Sequence, residues 1–387
     1  ISMKGIFMEK SLKKDIIINR LPVVIYFILI FAALIVIISA VAPMSNHEPK
    51  TTDTYSDFST GWLNCEESEA SLDHLSGTTV IHRTITAADC NKTLFFFAKT
   101  SNIKVFIDGV CQYRNNHFCS QFFGKTPGAL FVNVLIPAES DGKLLEIEIE
   151  NPYKDDDSAK LDEMYIGDIS DIIQFQQQKR FNSFCISFII MVLGVVMLLL
   201  FIPLTRQKIV GIEFLNLGVT AFVSGLYLTT DGRYLQLVFG DAHIYHVIAE
   251  TALRLSILPF LIFLSQVYES YSKRISAILC VIGEIAFAGC FIGEITEIMD
   301  YHETLLLVHV VFAISMLFIL VSTIKGIVKA PKENICHNIG CIVLSFMAMT
   351  DIIILWRGTG RETSYFIRLG ILIFFFMEIV QIIKKFL

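Results

Sequence analysis

The chain has 387 residues, of which 54% are hydrophobic, only 18% are charged and 32 are Phe. This composition excludes an ordinary soluble enzyme, although the length would allow two or three soluble domains. The net charge of -6, from 37 acidic and 31 basic side chains, argues against a nucleic-acid-binding protein, because such a protein would show a basic face.

The first apolar segment, residues 21–42, is long enough to cross the roughly 30 Å hydrocarbon core of a bilayer. Residues 1–20 form a basic leader in front of it. A secretory signal peptide also begins with basic residues, but its apolar region is only about 7 to 15 residues long. The sequence therefore predicts a retained membrane anchor at 21–42.

A polar segment, residues 44–178, follows the anchor and is predicted to be one all-β domain, a sandwich or jelly roll. Leu145, Ile147 and Ile149 alternate with glutamates, which is the period of two that a half-buried strand requires. Asp108-Gly109 between two apolar runs predicts a tight β-hairpin. Six or more short strands separated by turns are typical of a sandwich.

The runs Ile103–Tyr113, Gly124–Gly128 and Leu135–Pro137 resemble the jelly-roll domains related to galactose-binding modules. The resemblance implies either a carbohydrate-binding domain or a spacer without a ligand. Some aromatic side chains of this segment could stack on a sugar, but burial in the core is the favoured interpretation. They are Trp62, Tyr113, Phe122 and Phe123.

The nine cysteines divide between the β segment and the apolar segments. An extracytoplasmic location would permit disulfides in the β segment. Its four cysteines, Cys65, Cys90, Cys111 and Cys119, allow three pairings, and a bond between Cys111 and Cys119 would clip the loop after the hairpin. The remaining five show no metal-ligand spacing and are interpreted as small apolar packing residues. We predict neither a metal nor a cofactor for this chain.

Seven further apolar segments predict a helix bundle over residues 181–383. They are 181–203, 209–229, 246–268, 275–293, 304–324, 337–356 and 364–383. Lys and Arg concentrate in the leader, in alternate loops and at 384–387, whereas the loop after 275–293 is acidic and has no cation. By the positive-inside rule, both termini are predicted to be cytoplasmic and residues 44–178 extracytoplasmic.

Ionisable side chains inside a span cost about 2.5 to 3.5 kcal/mol on insertion scales, so each one needs a partner or a wet cavity. Five of them share the outer third of the spans: Glu250, Arg254, His309, Asp351 and Arg368. The i,i+4 spacing of the first two predicts an ion pair. Two interpretations remain open, a structural link to Asp351 or Arg368 and a ligand- or proton-responsive vestibule.

Two other carboxyls are expected in different environments. Glu284 lies near the middle of its span, the most costly depth, and is predicted to be hydrogen-bonded inside the bundle. Glu378 lies near a cytoplasmic end and is predicted to reach water. No motif of a hydrolase, metalloprotease or nucleotide-binding enzyme is present, so no catalytic residue is predicted.

The run Leu226–Leu237, followed by Arg254–Phe260, resembles the membrane block of bacterial seven-transmembrane receptors with diverse intracellular signalling modules, although Gly232 stands where a Ser is more usual. The layout of leader, anchor, β domain and seven spans is similar to that family over nearly the whole chain. The resemblance implies a multi-pass protein of the bacterial cell membrane. It also implies a homodimer and an output domain after the last span, most often a GGDEF diguanylate cyclase.

The sequence thus predicts a sensor module for a small-molecule or carbohydrate ligand, with no nucleic acid among its partners. Residues 384–387 would begin a cytoplasmic signalling helix, and the output domain would be missing from this chain. The alternative is a transporter, or its accessory subunit, whose outer domain captures substrate. No two-half repeat and no matched pair of broken helices supports that alternative. A third possibility is a protein that organises the cell surface.

Overall fold

The computed structural model describes residues 54–115, 125, 128–153, 159–208, 210–267, 270–329, 334–356 and 364–386. The predicted leader and anchor, 1–20 and 21–42, lie outside the described residues. Cys119, Phe122 and Phe123 do so as well. Within the described ranges, strands come first and helices follow.

Eight strands form two antiparallel sheets of four. The strands are β1 Tyr55–Asp57, β2 Thr78–Thr84, β3 Thr93–Lys99, β4 Asn102–Ile107, β5 Val110–Arg114, β6 Ala129–Leu135, β7 Leu144–Glu150 and β8 Lys160–Gly167. One sheet has the strand order β1-β8-β3-β6 and the other has the order β2-β7-β4-β5. Two antiparallel sheets of four strands are thus present in the predicted β segment, and the jelly-roll arrangement stays a prediction.

The two sheets bury their inner faces in one shared core. Phe96 and Val132 come from the first sheet, Val105 and Ile147 come from the second, and each is 0% exposed. The predicted alternation in β7 is present, because Leu145, Ile147 and Ile149 are buried and the glutamates between them are not. The predicted hairpin is confirmed too, since Asp108-Gly109 joins β4 to β5 with both residues at positive φ.

Trp62 belongs to this core and is only 1% exposed. Its indole N–H donates to the carbonyl of Phe58 at 2.8 Å, which satisfies its one polar atom. Trp62 therefore has no face available for a sugar, and its interpretation as a core residue is confirmed.

Seven of the described helices are long and apolar enough to cross a membrane, which indicates a membrane protein. The helices are α1 Ile169–Arg206, α2 Ile212–Asp231, the short α3 Tyr234–Phe239, α4 Ala242–Val267, α5 Ser270–Ile295, α6 Leu305–Lys329, α7 Ile335–Trp356 and α8 Tyr365–Phe386. The long helices agree with the predicted spans to within a few residues, except at the start of α1.

The first long helix begins before the predicted domain boundary at residue 178. Strand β8 ends at Gly167, and the Asp168 carboxylate caps α1 by accepting from the N–H of Ser170 at 2.8 Å. Helix α1 has 38 residues. At 1.5 Å per residue it is about 57 Å long, nearly twice a bilayer core. Its first turns therefore project from the bundle and pack on the β domain.

The long helices form a ring. Each packs on the next in the order α1, α2, α4, α5, α6, α7 and α8, and α8 packs again on α1. Helix α5 consequently lies on the side of the ring opposite α1, while α8 lies between α7 and α1. We call the end of the bundle next to the β domain the domain end, and the opposite end the far end.

Trp62→Ala is expected to lower the stability of the β domain by roughly 3–5 kcal/mol, because it removes a fully buried aromatic side chain. Protease resistance of the β domain, measured on the purified protein at rising temperature, checks this. Val110→Ala is the control, since Val110 is exposed on β5. Equal melting of the two variants would contradict the core role of Trp62.

Candidate functional site

The β domain is joined to α1 by a partly buried ion pair. The Arg180 guanidinium lies 2.6 Å from the Glu163 carboxylate of β8 and 4.9 Å from the centre of the Phe131 ring. Lys179 approaches the same carboxylate at 2.8 Å. Burial alone would raise the pKa of Glu163, but Arg180 and Lys179 outweigh it and hold that pKa below its ordinary value. Glu163 therefore stays ionised down to acidic pH.

The turn between α2 and α3 makes a second contact with the β domain. Arg233 occupies the left-handed region at φ 60°, and its guanidinium lies 4.1 Å from the centre of the Phe97 ring on β3. The Gln236 side-chain amide, oriented so that its oxygen and its nitrogen both find partners, donates to the Ala129 carbonyl and accepts from the Phe131 N–H of β6. This covers an edge strand that would otherwise expose unpaired backbone groups.

The loop 296–304 between α5 and α6 makes a third contact. Asp300 accepts a hydrogen bond from the Tyr153 hydroxyl of the β domain and another from the backbone N–H of Lys125 at 3.2 Å. The Lys125 ammonium pairs with Glu303 at 2.5 Å. The Tyr153 ring also packs on His302, with 4.4 Å between centroids. This loop therefore carries most of the polar contacts between the β domain and α5–α6.

Arg254 holds the same loop from inside the bundle. The predicted pair with Glu250 is present at 2.6 Å. The guanidinium also donates to the Tyr301 carbonyl at 2.7 Å and to the Thr304 hydroxyl at 3.1 Å, and it covers the Tyr301 ring at 4.1 Å. Arg254 is 3% exposed. The predicted link to Asp351 or Arg368 is wrong for this residue, because its partners are on α4 and in loop 296–304.

Asp351 and Arg368 instead hold the start of α8. The Asp351 carboxylate on α7 accepts from the N–H of Phe366 at 3.3 Å and of Ile367 at 2.6 Å. These amides belong to the first turn of α8, where N–H groups lack partners within the helix. Arg368 donates from Nε to the Ser187 hydroxyl of α1 at 3.2 Å. The start of α8 is therefore fixed against both of its neighbours in the ring.

Asp231 connects this group to the turn at Arg233. Its carboxylate accepts from the Ser364 hydroxyl at 3.1 Å, and Tyr227 contacts the same hydroxyl at 3.2 Å. Arg233, Arg368 and Glu250 all interact electrostatically with Asp231. Asp231 thus lies between two sets of polar residues, one around Arg254 and the other at the start of α8. The only sequence signal for Asp231 was its place in the run that resembles the receptor family.

His309 is half-buried on α6 and interacts electrostatically with Glu250 and Arg254. All five residues predicted for the outer third of the spans therefore lie at the domain end, in two groups that Asp231 links. Among the described residues, no set of three or more His, Cys, Asp and Glu is arranged to hold a metal ion.

The predictions for Glu284 and Glu378 are both wrong. Glu284 is exposed on the outward face of α5 instead of hydrogen-bonded inside the bundle. Glu378 is 5% exposed and pairs with His337 Nδ1 at 2.5 Å, so it does not reach water. His337 also contacts the Cys341 thiol at 3.6 Å. The sequence analysis did not single out His337, which lies near the far end of α7.

Cys111 forms no disulfide with any cysteine that the structure describes, and its Sγ lies 3.4 Å from the Tyr113 carbonyl. Its predicted disulfide partner, Cys119, lies outside the described residues, so that bond stays a prediction.

Comparisons of the chain with protein-family models, with curated proteins and with solved structures find no match. Its function must be inferred from its own residues.

Glu163→Gln is expected to destabilise the docked β domain by about 1–3 kcal/mol at neutral pH, because Arg180 would lose its charged partner. Since the folded pKa of Glu163 is lowered, the stabilisation exists above its unfolded pKa and is lost as the pH falls through the folded value. The difference in melting temperature between wild type and variant should shrink below about pH 4. A difference that stays constant with pH would contradict the ion-pair role.

Arg254→Met is expected to loosen loop 296–304, because it removes two hydrogen bonds and the guanidinium that covers Tyr301. Hydrogen–deuterium exchange of the purified protein should show faster exchange across this loop and unchanged exchange at the far end of α7 and α8. Arg206→Met, at the exposed far end of α1, serves as the control. Unchanged exchange in the loop would show that Arg254 does not position it.

Proposed function

We propose that this chain is the sensing half of a transmembrane receptor, with the β domain outside the cell, both termini in the cytoplasm and α8 as the output helix. The observation that carries this proposal is a continuous series of contacts from the β domain to the start of α8. It runs from Phe97 through Arg233 and Asp231 to Ser364 and Arg368.

The first step of the series joins the sheet to the bundle. Phe97 is buried in β3, so it moves only when the sheet moves. Arg233 covers its ring and is two residues from Asp231, in a turn of sharply defined backbone conformation. A tilt of the β domain against the bundle would therefore displace the end of α2.

The second step joins α2 to the output helix. Asp231 accepts from Ser364, which immediately precedes α8, and attracts Arg368 one turn inside it. At the far end, α8 is tied to α7 by Glu378 and His337, and again by Gln381, whose amide donates to Asn334 at 2.9 Å. Because α7 and α8 are linked at both ends, we expect them to move as one unit.

A ligand changes such a network only if it binds the two packings with different affinity. Two buried polar atoms at the domain end, Glu294 Oε2 and Arg254 Nε, have no hydrogen-bond partner among the described residues. They favour a small polar ligand at this end. The two layered sheets also support the resemblance to galactose-binding jelly rolls, which keeps carbohydrate among the ligand classes.

As the family resemblance implies, the output would be cyclic di-GMP synthesis. The test of the proposal uses the complete gene product in membranes. Cyclic di-GMP formed from GTP is measured for wild type and for Arg233→Asn. Asn tolerates the left-handed conformation but has no guanidinium to cover Phe97. We expect basal synthesis to change about fivefold or more, since allosteric coupling is typically worth 1–3 kcal/mol.

Arg206→Asn is the matched control, because this arginine lies at the far end, away from the β domain, and should leave synthesis unchanged. Equal loss of protein level and of synthesis in Arg233→Asn would favour a purely structural role for the contact. A gene product without cyclase activity that drives substrate-dependent flux in vesicles would overturn the receptor proposal and favour a transporter.

A further inference from the structure

Helix α1 has a continuous apolar stripe that no described element covers. Its exposed large side chains follow one another at intervals of four and three residues, so they lie on one side of the helix. They are Phe188, Val192, Val195, Leu199 and Ile202, and the most exposed of them, Leu199, has 69% of its surface accessible. The opposite side of α1 is packed so closely that a Cβ on Gly194 would clash with the backbone of Phe222 on α2.

The chain that precedes the β domain leaves it beside α1. Strand β1 runs antiparallel to β8, with Tyr55 opposite Gly167, and β8 leads directly into α1. The Tyr55 ring also stacks on Phe175 in the second turn of α1, with 5.6 Å between centroids. Because the two strands run in opposite directions, the residues before Thr54 start from the end of the sheet that faces the bundle.

The segment between the predicted anchor and the β domain is long enough to bring the anchor to this stripe. The predicted span of α1 begins at residue 181, about 18 Å along the helix from Ile169. Residues 43–53 can reach about 36 Å when they are fully extended. The descent along α1 therefore uses only about half of the available length.

Other exposed apolar faces are either short or remote. Among the described residues, α2 exposes one large apolar side chain, Ile212, and α8 exposes two, Tyr365 and Phe376. Helix α6 has a longer exposed face, but it lies three helices from α1 around the ring. At roughly 8–10 Å per helix, a path down α1 and round to α6 would exceed the reach of residues 43–53. The stripe on α1 is therefore the extended face closest to the point where the chain leaves the β domain.

The sequence of the anchor is complementary to this stripe. Two pairs of small residues stand seven positions apart in it, Ala32-Ala33 and Ser39-Ala40, and in a helix they share one side. Residues 21–42 contain no Asp, Glu, Lys, Arg or His, and the stripe on α1 contains no polar side chain. Small residues opposite large ones let two helices approach closely in lipid.

We propose that the predicted anchor, residues 21–42, packs on the apolar stripe of α1 and completes the outer side of that helix. The anchor would run from the leader toward the β domain, whereas α1 runs away from the β domain, so the two helices would be antiparallel. Matching the middle of 21–42 to the middle of 181–203 places Ala32 opposite Val192. A receptor and a transporter could both use this contact, so the proposal can fail or succeed independently of the proposed function.

Cysteine cross-linking of the full chain in membranes tests where the anchor lies. A protease site is placed within residues 43–53, so that only a disulfide holds the anchor to the bundle after cleavage. Ala32→Cys combined with Val192→Cys should, on oxidation, give two fragments that stay joined at the mass of one chain and separate on reduction. Ala32→Cys combined with Leu317→Cys, on the exposed face of α6, is the matched control and should separate without reduction.

Each other result of this experiment contradicts the proposal. Fragments of the Val192→Cys variant that separate without reduction would show that lipid covers the stripe. A product at the mass of two chains would show that the anchor packs on a second copy. Equal linkage in the control, or in Ala32→Cys alone through a native cysteine, would show that the anchor has no fixed position on α1.

A second experiment tests the packing without introduced cysteines. Ala32→Trp places a large side chain on the proposed contact side and should lower the melting temperature of the purified protein by roughly 2–10 °C, because overpacking is destabilising. Leu34→Trp lies on the other side of the same predicted helix and should leave the melting temperature unchanged. Both variants keep the anchor apolar, so both should insert into the membrane. Equal melting temperatures in the two variants would refute the proposed contact.

Discussion

A charged side chain among apolar helices must find its partners inside the protein, and this requirement determines how the domain end is built. Arg254 shows the consequence most clearly. One buried guanidinium pairs with Glu250 on its own helix and binds Tyr301 and Thr304 across the bundle. Removing any one of these groups would leave a buried charge with too few partners, so the helix and the loop hold each other in place.

Loop 296–304 is shared between two bodies because of this arrangement. Its backbone at Tyr301 is bound by Arg254 of the bundle, while the side chains of Asp300 and Glu303 are bound by Tyr153 and Lys125 of the β domain. A displacement of the β domain must therefore either break polar contacts in the loop or move it against Arg254. Packed interfaces of this kind favour discrete alternative arrangements over gradual deformation, which is the property that the proposed function requires.

Periodicity predicted the strands and the membrane-length helices because burial of one face controls both patterns. It failed at the first turns of α1, where polar residues such as Gln176 and Arg180 form a helix that the β domain stabilises by docking. Hydropathy gives the depth of a residue but not the direction it faces, so it could not separate Glu284, which points outward, from Glu378, which is buried against His337. Asp231 and Ser364 are far apart in sequence, and no local signal joins them.

The ring order of the helices determines which neighbours move with α8. Helix α8 lies between α7 and α1. It is tied to α7 near both ends, through Asp351 at the domain end and through His337 at the far end. Arg368 joins it to Ser187 of α1 at the domain end. Helix α1 is itself held on the β domain by Arg180 and Glu163, so a displacement of the β domain acts on α8 from the side of α1, while α7 follows α8.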